Sequence, residues 1–177
     1  MNNLLKIANL IAAHPNKKIE GRIRVQKTVH ILKHFGVSFD EDFSFFHFGP
    51  FSQELFYEIN ELVKRYGILE EKGGPPSGSY TYILTRIGEE ALKDFPLETL
   101  EKDIVKKTVD LLIKYDTRAL ELLSSYFYLE DGSYKIKGND YWEAVQTLKK
   151  DRANTENIGN AKKLKTDLEK EFALNPV

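Results

Sequence analysis

The stretch GILEEKGGPPSGSYTYILTRIGEEAL, residues 67–92, decides the fold. Residues 68–71 suit one short strand. In residues 80–84, Tyr80, Tyr82 and Leu84 alternate with Thr81 and Ile83, the period of a pleated strand with one buried face. Between them, Gly73-Gly74-Pro75-Pro76-Ser77-Gly78 has the composition of a loop tip. Thr85 opens a further helix over residues 86–94. A helix closed by Gly67, a hairpin and a second helix follow one another in the order of a winged helix.

Working upstream, residues 50–66 read as a helix with an apolar stripe of Leu55, Phe56, Ile59, Leu62, Val63 and Tyr66. Its approach is the aromatic segment 43–48, and the junction is FHFGPFSQEL, residues 46–55. Pro50 lacks an N–H and suits a first helical turn. Gly49 then caps, and Ser52 offers a hydroxyl to the free N–H groups. The sharper alternative is that these N–H groups receive a phosphate or a partner's carboxylate. Before it, Asp40-Glu41-Asp42 reads as a solvated loop. Residues 22–35 form a helix ended by Gly36, with Val25, Thr28, Val29, Leu32 and Phe35 on one face. Residues 2–13 form another, stopped near Pro15, with Leu4, Ile7, Ala8 and Ile11 on one side.

Downstream of Pro96 the chain reads as helical throughout, over residues 98–115, 118–129, 141–150 and 156–172. Asp131-Gly132-Ser133 is a turn, Asn139 or Asp140 an N-cap, and Thr155 another. The expected class is α+β, mostly α. A winged-helix-like part over residues 1–95 bears a small β-hairpin wing, and a helical extension over 96–177 packs on it, unless 1–177 forms one single domain.

The chain has 177 residues, is 41% hydrophobic and 30% charged, and contains no cysteine. This composition suits a folded protein and excludes disulfides, thiolate nucleophiles and Cys-ligated zinc. No apolar run is long enough to span a membrane, and residues 1–14 lack the features of a signal peptide. The expectation is a cytoplasmic protein.

The net charge of −1 is less basic than a dedicated nucleic-acid binder usually shows. Its distribution is uneven. Residues 17–34 carry Lys17, Lys18, Arg22, Arg24, Lys27 and Lys33 against Glu20, whereas residues 36–71 are strongly acidic. A helical wheel puts Arg22, Gln26, Lys27, His30, Lys33 and His34 opposite the apolar stripe. The bland reading is a solvated basic face, partly paired with the acidic helix; the sharp one is a docking surface for a phosphate or an acidic partner. Arg24 falls near the apolar side and needs a partner, for which Glu54 or Glu58 is the expectation. On helix 50–66 the outward residues include Gln53, Glu54, Glu58, Asn60 and Glu61. Their carboxylates oppose reading of a DNA groove. His30 and His34 share a helix spacing but lack the HExxH glutamate, so neither a metal nor a cofactor is expected. No nucleophile motif or phosphate loop is present.

With GRIRVQKTVHILKHFG, FSFFHFGPFSQELFYEINELVKRYGILEE and YTYILTRIGEEAL in view, the chain resembles the bacterial and archaeal YwgA-like proteins. More distantly it is similar to the Panacea-domain (SocA-like) antitoxins. The shared pattern is Arg-x-Gln-Lys on a basic helix, then aromatic-Gly-Pro-aromatic-Ser before a helix ending in glycine. The aromatic LELLSSYFYLEDG and a Leu-x-x-Leu-Lys tail follow. His30 stands where the group often has Tyr, and Lys150-Asp151 replaces its Lys-Pro. The resemblance implies a small non-enzymatic protein in toxin neutralisation or phage defence, as an adaptor to a toxin, a nuclease or an SMC-type ATPase. It marks Arg24, Gln26, Lys27, Gly49, Pro50 and Ser52. The expected partner is thus a protein, with DNA touched, if at all, within a complex; a homodimer is compatible with this. The alternative is a winged-helix DNA-binding transcriptional regulator.

Overall fold

The computed structural model describes residues 2–76, 78–132 and 140–174. The elements run α1 (Asn2–Ala13), β1 (Lys18–Glu20), α2 (Arg22–His34), β2 (Ser44–Phe46), β3 (Gly49–Phe51), α3 (Gln53–Lys64), β4 (Leu69–Gly73), β5 (Tyr80–Leu84), α4 (Arg86–Asp94), α5 (Thr99–Leu112), α6 (Thr117–Asp131), α7 (Tyr141–Lys149) and α8 (Thr155–Leu174). This is the expected α+β, mostly helical class with a hairpin wing. β4 and β5 pair antiparallel with Leu69 opposite Leu84, and β1 adds to the free edge of β5, giving the order β1–β5–β4. Strand β1 escaped the sequence reading because Lys-Ile-Glu is too short to show a period; its pairing with Tyr82 makes it a strand.

The core gathers around α1. Ile7, Leu10 and Ile11 are fully buried there, and Leu5 is buried as well. Each such side chain contributes about 2 kcal/mol when removed from water. Burial on several sides, beyond the single stripe that the sequence suggested, makes α1 a central element. Val25, Val29, Leu55, Leu62 and Tyr82 close on it, as do Val105 and Val109 of α5. A second cluster joins Ile31 of α2 to Leu120, Leu123 and Phe127 of α6 and to Leu164 and Leu168 of α8. α6 therefore lies directly over α2.

The expected helix start at Pro50 is corrected. Gly49–Phe51 is a strand, β3, paired antiparallel with β2 so that Phe46 faces Gly49 and Ser44 faces Phe51. The helix begins at Gln53, and Ser52 itself is the N-cap, its Oγ accepting from the Leu55 N–H at 3.2 Å. Gly49 and Pro50 thus cap nothing. Two other ends shift slightly. Asp140 caps α7 as expected, accepting from the Trp142 and Glu143 amides. Asn154, not Thr155, caps α8, accepting from the Asn157 N–H at 2.9 Å. Asp131 is helical where a turn was expected. Ser133, Asn139 and Ser77 lie outside the described residues.

Candidate functional site

The β2–β3 hairpin is held on three sides. Its turn glycine is pressed against α6. Gly49 has φ +81°, and a Cβ there would lie 2.6 Å from the Ser125 Oγ and 3.4 Å from the Lys149 Nζ. Both the left-handed backbone and the close approach therefore demand glycine. From α2, Gln26 forms a reciprocal pair with Ser52: its Nε2 donates to the Ser52 carbonyl at 2.9 Å and its Oε1 accepts the Ser52 N–H at 2.8 Å. Lys27 is only 1% exposed, and its Nζ donates to the Pro50 carbonyl. Gln26 and Lys27 of the Arg-x-Gln-Lys run are thus the clasps that hold strand β3 and the start of α3.

A knot of charge lies behind the hairpin. Glu121 of α6 is buried, and its carboxylate accepts from Arg118 at 2.7 Å and Lys149 at 3.1 Å, with Arg152 at 3.5 Å. Lys149 also donates to the His47 carbonyl at 3.0 Å. Arg152 donates to the His47 Nε2 at 2.7 Å and lies 4.3 Å over the Phe48 ring. An arginine can only donate, so this nitrogen must be the acceptor of the imidazole. Burial pushes the Lys27 amine down to about 7; repulsion from Lys149 adds to this and Glu121 opposes it. The Lys149 amine is also lowered, again chiefly by burial. His30 is buried beside this knot, its Nδ1 3.1 Å from the Ser124 Oγ, and burial, then Lys27, lower it to about 3.

In front of the hairpin is a cavity of about 530 Å³ between α2, α3 and the aromatic turn. Phe51, Phe56 and Ile59 line it, with Arg22, Lys27 and His47 as its basic walls. Phe46 and Phe48, at 58% and 42% exposure, stand at its rim. The sequence did not reveal this cavity: its walls come from four separate elements, and an aromatic run reads as core until the packing is known.

The marked residues therefore divide. Gln26, Lys27, Gly49, Pro50 and Ser52 come together at one junction. The bland reading of α2 as a solvated basic face is corrected, because α6 and the hairpin cover Gln26, Lys27 and His30. Arg22 lies at the cavity edge, bonded to the Tyr82 hydroxyl at 3.0 Å and to Glu71 at 3.2 Å, with its guanidinium 3.5 Å over the Tyr80 ring. Arg24 lies away from the junction. Its Nη2 donates to the Leu112 and Tyr115 carbonyls at 2.6 and 3.0 Å, closing the C-terminal end of α5. The expected pairing with Glu54 or Glu58 is thus wrong; α5 supplied nearer acceptors that periodicity does not show. Lys33 is exposed and reaches the Glu41 carbonyl at 2.7 Å. His34 pairs with Asp131, so His30 and His34 face different neighbours. Among the described residues, His34, Glu130 and Asp131 bring ligand-type atoms within 4.8 Å of one another. These groups already serve one another and Tyr126.

No protein-family model matches the chain. The chain is 33% identical to uncharacterized protein YwgA of Bacillus subtilis (strain 168) over 126 aligned residues, with 68% of this chain and 73% of that relative covered. The chain belongs to the YwgA family. In this YwgA-family chain, the motifs Arg-x-Gln-Lys and aromatic-Gly-Pro-aromatic-Ser are two halves of one clasp, joined by Gln26 to Ser52 and Lys27 to Pro50. Among the described residues no helix is long and apolar enough to cross a membrane.

Proposed function

We propose that this YwgA-family protein is a non-catalytic interaction subunit that docks a protein partner through the β2–β3 hairpin. The observation carrying this reading is the pair of exposed aromatics, Phe46 and Phe48, at the rim of the 530 Å³ cavity. Exposed aromatics around a concave apolar surface are the usual anchors of protein recognition. The polar groups nearby are already engaged. Lys27 bonds the Pro50 carbonyl, Gln26 bonds Ser52, and Glu121 sits under Arg118 and Lys149. They hold the surface in shape, which supports a binding role over a reactive one.

The sheet order β1–β5–β4 beside α2 and α3 supports a winged-helix-like assignment, and with it the distant resemblance to Panacea-domain antitoxins. An antitoxin-like or defence-complex role, with a toxin, nuclease or SMC-type ATPase as partner, follows from that resemblance. The winged-helix order also suits a DNA-binding regulator. However, exposed α3 residues include Glu54 and Tyr57, and the wing's Lys72 is paired with Glu70 at 3.2 Å, which weakens that alternative. A tagged pull-down from nuclease-treated native lysate tests the two. A stoichiometric protein partner, lost in Phe46→Ser/Phe48→Ser, is the expected result. Recovery of DNA alone, released by moderate salt, would replace docking with the regulator.

A further inference from the structure

The cavity and the charge knot behind it share a wall. His47 and Phe48 line the cavity, and both touch Arg152. The residues lining the cavity include Arg22, Lys27 and His47 and, among the described residues, no carboxylate. The knot is short of negative charge. Arg118, Lys149 and Arg152 all pair with the single carboxylate of Glu121, and among the described residues no second carboxylate pairs with any of the three. Cations removed from water need matched counter-charge. Here three share one carboxylate. Two of them remain within reach from outside: the side chains of Arg118 and Arg152 are 35% and 26% exposed.

We propose that the cavity and this cation knot together bind an acidic, apolar segment of the partner protein: an apolar side chain enters between Phe48, Phe51 and Phe56, and a neighbouring carboxylate meets Arg152 and Arg118. This rests on the docking reading above and names the partner's chemistry. The size fits, because a cavity of this volume takes one large side chain and its backbone surroundings. The geometry of the anion arm fits as well, since arginine forks suit carboxylates. A single-stranded nucleic acid is disfavoured. It would use the aromatics for stacking, but it needs a run of exposed cations along its backbone. The knot offers two, in a chain whose net charge is −1.

The test is amide NMR titration of the full chain with three probes. One is a short capped peptide with a central phenylalanine flanked by aspartate and glutamate. The second is its asparagine/glutamine twin, and the third is an oligothymidine. The acidic peptide is expected to shift the amides of residues 46–49 and 51, and the twin to bind at least about tenfold more weakly. Arg152→Ala and Arg118→Ala should each weaken the acidic peptide by about tenfold, with unchanged amide shifts in α1 and α5, far from the knot, showing that the fold is kept. Equal binding of the twin, preferential binding of the oligothymidine, or no shift by the acidic peptide at millimolar concentration would each overturn the inference. If the peptide fails while the nuclease-treated pull-down still yields a partner lost in Phe46→Ser/Phe48→Ser, the docking reading stands and only the acidic chemistry falls. If the peptide binds but the pull-down yields DNA alone, docking as the protein's function falls instead.

Discussion

Helices α2 and α3 present the same sequence signal, a charged face opposite an apolar stripe, and meet opposite fates. On α3 most of the polar side stays in water: Glu54, Tyr57 and Lys64 are exposed, and so is the capping Arg65, which reaches Glu61 at 3.2 Å. On α2 the polar side is sealed. Gln26 and Lys27 bond strand β3, and His30 meets Ser124 of α6. The difference lies in what covers each face. α6, about ninety residues further along the chain, brings a buried glutamate and two serines to the polar side of α2. Among the described residues nothing comparable covers Tyr57, Lys64 and Arg65, although Glu58, nearer the apolar stripe, is half-buried against Asn3. A polar helical face is thus solvated by default and becomes structural only when a distant element supplies matched partners.

This contrast can be broken at its centre. Replacing Glu121 by Gln removes the carboxylate that serves Arg118, Lys149 and Lys27. Losing one member of a buried ion cluster destabilises by about 3–5 kcal/mol, which urea unfolding would measure. Gly49→Ala comes next. A left-handed φ and a Cβ within 2.6 Å of the Ser125 Oγ should together cost about 2 kcal/mol. The loss should shrink in a Ser125→Ala background, since the nearest clash is with that hydroxyl. If the double change is no better, the strain lies wholly in the backbone.

Two pH profiles sharpen the comparison. Lys27 has a folded value of about 7, below its ordinary value of 10.5. The unfolded chain therefore holds this proton more tightly between those limits, and stability should rise from pH 7 towards 10. In Lys27→Met that rise should vanish; an unchanged slope would show that the amine is not held neutral.

Glu58 on α3 has the opposite sign. Burial lifts it from 4.5 to about 7, Asn3 opposes this with donated bonds of 2.9 and 3.1 Å, and Glu41 adds to the lift. Glu41 is itself buried, with neither carboxylate oxygen accepting an N–H or hydroxyl bond. The two facts agree if the protonated Glu58 carboxyl donates to Glu41. The folded chain then holds the extra proton, so stability is full below pH 4.5 and lost as pH rises through 7. Glu58→Gln should flatten this fall, as read by melting temperature across that range. The smallest effect belongs to the open face of α3: Lys64→Ala should change stability by less than about 0.5 kcal/mol. A larger loss would mean that this face is covered too.

Much of the fold was legible because the signals are local. Tyr80, Tyr82 and Leu84 alternate over a buried face, and the Gly/Pro-rich tip separates two strands. The helix start at Asp140 follows from a side chain that reaches its own backbone. The misreading at Gly49-Pro50 shows the limit. A Gly-Pro pair suits a helix start and a hairpin strand equally, and only pairing with β2 and the contact with Ser125 choose between them. Arg24 shows the same limit: its need for a partner was plain, but the carbonyls of Leu112 and Tyr115 were not.

By itself, then, the sequence determined the class, the hairpin wing and most helix bounds, because period and capping act over a few residues. Tertiary structure alone decided that Lys27 is buried, that Glu121 gathers the cations, and that a cavity opens beneath Phe46 and Phe48. Those features depend on which distant side chains meet, and desolvation and charge pairing are properties of that meeting rather than of any one segment.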